Sequence, residues 1–193
     1  MAYKEKYWYL NNKEELEKVI EEHKRNNSIF EEKEPDKPQI VLNFNRAENE
    51  LKHAETMFKI SESNKLKPEL DLLDEDTFYS GVISHAYYAI FFAAKALLIN
   101  SRIKTRAPNI HKATLDAFSY SFIINGKLDF ELLKIYKSAI VKADSLLGLF
   151  ISEKEKRGQF TYQKLPDANK EPANESIRNA VVFLTHIKKV VGV

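Results

Sequence analysis

YSGVISHAYYAIFFAAKALLIN, residues 79–100, decides the fold. It holds alanine at 86, 89, 93, 94 and 96, no proline and one early glycine, a composition that favours helix. Its apolar side chains fall on nearly every face of that helix, so no side is left for water. Such a helix must be covered all round by protein or by lipid. His85 and Lys95 split the apolar run, and the longest unbroken piece falls well short of the roughly 20 residues a bilayer requires. The segment therefore reads as the central helix of an all-α protein, with other helices built to enclose it and no membrane contact.

Those other helices are legible on both sides. Lys13–Lys24 puts Leu16, Val19, Ile20 and His23 on one face, with Asn12 placed to cap it. SIFEEKEPDKPQI breaks that pattern with two prolines and a charge run, and reads as a linker. From Val41 to Ser61, Phe44, Ala47, Leu51, Ala54 and Phe58 recur at the spacing of a buried stripe. SNKLKPELDLLDED is a polar connection in which Asp74 or Asp76 could cap the central helix. After a loop closed by Pro108, Asn109 stands where a cap belongs for a helix over Ile110–Ile123, which Asn125-Gly126 ends. A long helix follows from Asp129 to about Lys156, then an irregular stretch, then a last helix from about Ala173 to Val190 with Ile177, Ala180, Val181, Leu184, Ile187 and Val191 as its core stripe. No segment shows the alternation of a strand. The expected architecture is an antiparallel up-down bundle of about four to five helices spanning 41–193, with an N-terminal helical extension and linker over 1–40.

Composition narrows the chemistry. Of 193 residues 44% are hydrophobic, enough for a substantial core, and none is cysteine. That removes disulfides, thiolate metal sites and cysteine nucleophiles, and suits a reducing compartment. MAYKEKYWYLNNKEEL has no apolar signal core, so a cytoplasmic location is expected. Five glycines leave no material for a phosphate loop or dinucleotide fold, and neither a zinc-protease motif nor a nucleophile elbow is found. Glu50 and His53 form one Glu-x-x-His pair, whereas a carboxylate di-iron bundle needs two. No metal ligands and no cofactor are expected. The net charge of +2 is too small to argue for nucleic acid unless basic residues cluster. They do cluster: Arg102, Lys104, Arg106, His111 and Lys112 lie within one acid-free stretch.

The order of a helix, then SHAYYAIFFAAKALL, a loop, HKATLDAF, a long helix and a final aliphatic helix resembles the HEPN domain family. The match is carried by Ser84–Leu98, with Tyr87, Tyr88, Phe91 and Leu97 in place, and by the His111-Lys112 pair that opens the next helix. Arg157 and Tyr162 are similar to a later Arg and Tyr of the family, at altered spacing. The resemblance covers about Val41 to Val191. One departure is that His85 stands where the family carries an arginine.

The resemblance implies one of two kinds of protein. Many HEPN domains are metal-independent ribonucleases, often toxins paired with a small nucleotidyltransferase protein, and their signature is Arg, four to six residues, then His. RAPNIH, from Arg106 to His111, has that spacing once. A neutral imidazole can move the proton of a ribose hydroxyl, and an arginine can hold phosphate oxygens at two points. Against this, the family motif generally lies in a later helix, and Arg106 and His111 also read as a solvated loop residue and a helix-start residue. The other kind is a non-catalytic member that binds a nucleotide, an RNA or a partner protein as a homodimer, and this is the reading the sequence favours. Arg102, Lys104, Lys112, His85, Tyr88, Arg157 and Tyr162 are then the candidate ligand-binding residues. Tyr87, Tyr88, Phe91 and Phe92 otherwise read as core packing, with one tyrosine hydroxyl free to reach a cleft.

Overall fold

The computed structural model describes residues 7–155 and 170–192, without the side chains of 147–155. A short 3-10 turn at Trp8–Asn11 leads into α1, Lys13–Arg25, whose first turn is capped as expected: Asn12 Oδ1 accepts from the Glu15 N–H at 3.2 Å. Leu16, Ile20 and His23 are its buried face. Helix α2 spans Lys37–Glu62 and begins four residues before the expected start at Val41. Asp36 caps it by accepting from the Gln39 N–H at 3.1 Å. Pro38 reads as a breaker in the sequence, but in a first turn its missing N–H costs nothing.

Between α1 and α2 lies a strand that the sequence did not announce. β1, Ile29–Glu31, pairs antiparallel with β2, Ile103–Thr105, with Ile29 opposite Thr105. Three residues are too few for alternation to register, and the partner is remote in the chain. Asn27 and Arg102, both at positive φ, turn the chain into these strands.

A single turn, α3 at Leu66–Glu69, follows α2, and the buried Lys67 sends its ammonium to the Asp74 carbonyl. Neither Asp74 nor Asp76 caps the central helix. Asp76 accepts from the Leu73 N–H at 2.8 Å, and the Phe78 N–H goes to Ser61 Oγ instead.

The central helix α4 runs over Tyr79–Asn100, the bounds read from sequence. Val82, Ile83, Ala86, Ala89, Ile90 and the residues from Phe91 to Ala94 are all buried. α4 packs along α2 and α7 and also meets α5 and α6. Among the described residues it is the one helix long and apolar enough to cross a membrane, yet 78% of its most apolar window lies buried inside the protein. Its apolar faces are covered by its own bundle.

Helix α5, Ile110–Phe118, continues as a π turn over Ser119–Ile124. Asn109 contributes its carbonyl to the first helical hydrogen bond, with Ala113 at 2.8 Å, but its side chain makes no cap bond. Gly126 then reverses the chain at φ +66°, as the Asn-Gly pair implies. α6, Phe130–Glu155, buries Leu132, Leu133, Ile135, Tyr136, Ile140 and Ala143. α7, Lys170–Val191, buries Ala173, Ser176, Ala180, Phe183, Leu184 and Ile187. Val181, expected in that stripe, is 40% exposed, and Phe183 takes the inward position. Tyr136 meets Phe118 and Phe183 edge to face, and those two rings pack tilted on each other, with ring centroids 5.4–5.7 Å apart, tying α5, α6 and α7 together.

The N-terminal segment joins the same core. Leu10 and Leu16 are fully buried. Asp116, fully buried on α5, accepts from Tyr9 Oη at 2.9 Å and Lys112 Nζ at 2.7 Å, and its second contact in the interior is His23 Nε2 at 2.9 Å. A buried carboxylate requires partners of this kind, and here two of them come from residues before 25.

Candidate functional site

The start of α5 lies over the middle of α4 and leaves a cleft of about 400 Å³. It is lined by Tyr87 and Tyr88 of α4, by Ile140, Ala143 and Asp144 of α6, and by Tyr7 and the run Pro108–Lys112. His111 stands among aromatic rings: Phe91 at 4.4 Å, Tyr87 at 5.8 Å and Tyr88 at 6.1 Å between centroids. Its Nδ1 shares a hydrogen bond of 2.7 Å with the Tyr87 hydroxyl, which fixes the plane of the ring. The rest of His111 is exposed.

Burial, reinforced by the positive charge of Lys95, holds the His111 imidazole below its ordinary value, and Asp144 opposes this more weakly. The ring is therefore neutral at neutral pH. Burial also pushes the Tyr87 hydroxyl well above the usual phenol range, so it keeps its proton. Tyr88 is 39% exposed, stacks on Phe92 at 6.3 Å and meets His111 in an edge contact. Tyr7 Oη reaches Asp144 Oδ2 at 3.4 Å.

Arg106 does not share this cleft. Its backbone N–H extends the strand pairing to the Ser28 carbonyl at 3.0 Å, its Nε donates to the Asn27 carbonyl at 2.8 Å, and its guanidinium lies 4.9 Å above the Phe30 ring. The short turn through Pro108 carries the chain from that β pair to His111. The spacing that joins Arg106 to His111 in the sequence thus ends with the two side chains on different neighbours.

Two of the remaining basic residues, Lys104 and Lys112, pair with acids. Lys104 pairs with Asp36 at 2.9 Å and Glu32 at 3.4 Å, and the bond to Lys104 holds the Asp36 carboxyl below the usual range. Lys112 pairs with Asp116, four residues along the same helix. Arg102 is exposed at a positive φ, where its carbonyl accepts from the Glu32 N–H. His85 lies outside the cleft, its Nδ1 2.6 Å from Glu50. Arg157 and Tyr162 lie outside the described residues. Of the expected ligand-binding residues, the cleft gathers His111, Tyr88 and Lys112. It adds Tyr87, which reads in the sequence as core packing with a hydroxyl free to reach a cleft, and Tyr7 and Asp144, which were not among the expected site residues. Asp144 carried one faint signal: it is the one acidic residue between Glu131 and Glu153, on a helix whose other charges in that span are lysines.

Known proteins bear on this geometry. A family model for the HEPN domain matches residues 60–189, from the end of α2 through α7. Two proteins of Methanocaldococcus jannaschii are similar in sequence. The one named "Putative toxin MJ0605" is 27% identical over 135 residues, covering 70% of this chain and 86% of its own. The one named "Putative toxin MJ0142" is 26% identical over 141 residues, covering 72% and 84%. No solved structure matches the chain. The helical bundle, the SHAYYAIFFAAKALL helix at its centre and the extent of the family match make this chain a member of the HEPN domain family.

Proposed function

We propose that this protein is a binding member of the HEPN family, acting as a homodimer, whose cleft takes a nucleotide or a single-stranded segment of RNA. The observation that carries the reading is the juxtaposition of His111 and Tyr88 at an open mouth. Their rings offer stacking faces to a base, while the N–H groups at the start of α5 favour a phosphate. Stacking on such a platform contributes about 1–3 kcal/mol per base and tolerates any base. Arg106, committed to Asn27 and Phe30, supplies no phosphate clamp beside His111, which favours binding over cleavage.

A second reading rests on the same imidazole. His111 is neutral, oriented by Tyr87 and open to solvent, as a general acid or base must be, and the relatives' names point to toxins. One experiment separates the two. Labelled single-stranded RNA and mononucleotides are titrated against wild type, Tyr88→Ala and His111→Ala in EDTA, and the RNA is then run on a gel. Binding weakened at least about tenfold by Tyr88→Ala, with intact RNA, supports the binding protein. Cleavage that His111→Ala abolishes replaces it with the ribonuclease, and absence of both sinks the two readings together.

A further inference from the structure

Glu50 and His53 stand one turn apart on α2, and His85 faces them from α4. His85 Nδ1 lies 2.6 Å from a Glu50 carboxylate oxygen, and the His53 and His85 rings meet edge-on with centroids 5.2 Å apart. One ligand atom from each residue lies within 4.8 Å of the other two, and among the described residues no other group of three does this. The two helices approach closely here. One turn before His85, Gly81 has no Cβ, and the Met57 sulfur sits 2.8 Å from where one would be.

We infer that Glu50, His53 and His85 form a mononuclear site for a divalent transition ion of the zinc class, which staples α2 to α4. Two imidazoles and one carboxylate are a ligand set that zinc takes in open sites, with a water in the fourth position. Calcium and magnesium are poor matches, since they demand oxygen donors in greater number. Bonds of about 2.0–2.1 Å in a tetrahedron separate ligand atoms by about 3.3 Å. The Glu50–His85 contact must therefore open by about 0.7 Å while His53 swings inward, movements within reach of side-chain rotation. All three groups reach solvent: the side chains of His85 and Glu50 are 29% and 21% exposed, and His53 is exposed. The same exposure gives the ion its path in and leaves its fourth position to water.

The single Glu-x-x-His pair that rules out a two-metal carboxylate bundle suffices here, because the third ligand comes from another helix. The site is separate from the cleft. His85 precedes Tyr87 by two residues, which turns it about 200° round α4 from the His111 side. An ion pair between Glu50 and His85 alone would give His53 no part, and that difference is measurable.

The test uses the full, tag-free chain, stripped with EDTA, freed of chelator and titrated with Co²⁺ while its visible d–d absorption is recorded. The expected result is one Co²⁺ per chain, displaced by Zn²⁺. In His53→Ala the affinity falls at least about tenfold, since even an outer-shell partner of a metal ligand is worth that much. Zn²⁺ should also raise the thermal midpoint of the wild type and leave that of His53→Ala unmoved. His53 is exposed, so this variant keeps the fold, which circular dichroism verifies. No absorption band on adding Co²⁺ overturns the inference. So does equal affinity in wild type, His53→Ala and His85→Gln.

Discussion

Replacing Asp116 by alanine removes one carboxylate on which three side chains converge, and the structure sets the size of the loss. Asp116 is fully buried, the His23 side chain is 5% exposed, and Tyr9 is buried beside them. A hydrogen bond to a charged group contributes about 1.5–3 kcal/mol, and here two such contacts lie in the interior. Lys112 adds little, because its side chain is 44% exposed and water screens it. Without the carboxylate the Tyr9 hydroxyl and the His23 ring are stranded, and His23 Nδ1 already lacks a partner among the described residues. The expected cost is therefore about 3–5 kcal/mol, the range for breaking a buried charged contact.

Urea unfolding measures this. Trp8 fluorescence reports the N-terminal segment and far-UV circular dichroism reports the helices. Trp8 is the single tryptophan and adjoins Tyr9, so in Asp116→Ala its transition should move to lower urea than that of the helices. A double-mutant cycle with Tyr9→Phe should give a coupling of about 1.5–3 kcal/mol. A loss below about 1 kcal/mol, or additivity with Tyr9→Phe, would refute the reasoning.

Tyr136 is fully buried with its hydroxyl unpartnered among the described residues, so Tyr136→Phe should raise stability by about 1 kcal/mol in the same assay; a comparable loss would mean the hydroxyl is satisfied. Gly126→Ala places a Cβ in the left-handed region at φ +66°, where nothing crowds it, and should cost about 1–2 kcal/mol from backbone conformation alone. For pH, His111 binds its proton less readily folded than unfolded, through burial and Lys95, against the weaker pull of Asp144. The unfolded chain therefore holds more protons below about pH 6.5, and stability falls as the solution is acidified through that window. Thermal midpoints from about pH 7 to about pH 5 should fall less steeply in His111→Gln than in wild type, and equal slopes would show that other groups dominate.

Much of the bundle was legible because helix periodicity is a local property. The apolar residues of Tyr79–Asn100 alone demand enclosure, and the flanking stripes show what encloses them. The helix start at Lys37 was less so, since Pro38 has opposite meanings inside a helix and at its first turn. The β1–β2 pair was beyond reach, being three residues long on each side and joined across most of the N-terminal half of the chain.

The candidate site divides along the same line. By itself the sequence determined an all-α bundle with an enclosed central helix, a cap at Asn12, a reversal at Gly126 and a basic stretch around His111. Each of these depends on neighbours within a few residues. Only the tertiary structure decided that Lys104 meets Asp36, that Arg106 turns to Phe30 while His111 turns to Tyr87, and that His85 faces Glu50 and His53. Those outcomes depend on how each helix is rotated about its axis and where it crosses its neighbour. On α4, apolar on nearly every face, a rotation of one residue, about 100°, would exchange every such partner while still burying apolar side chains.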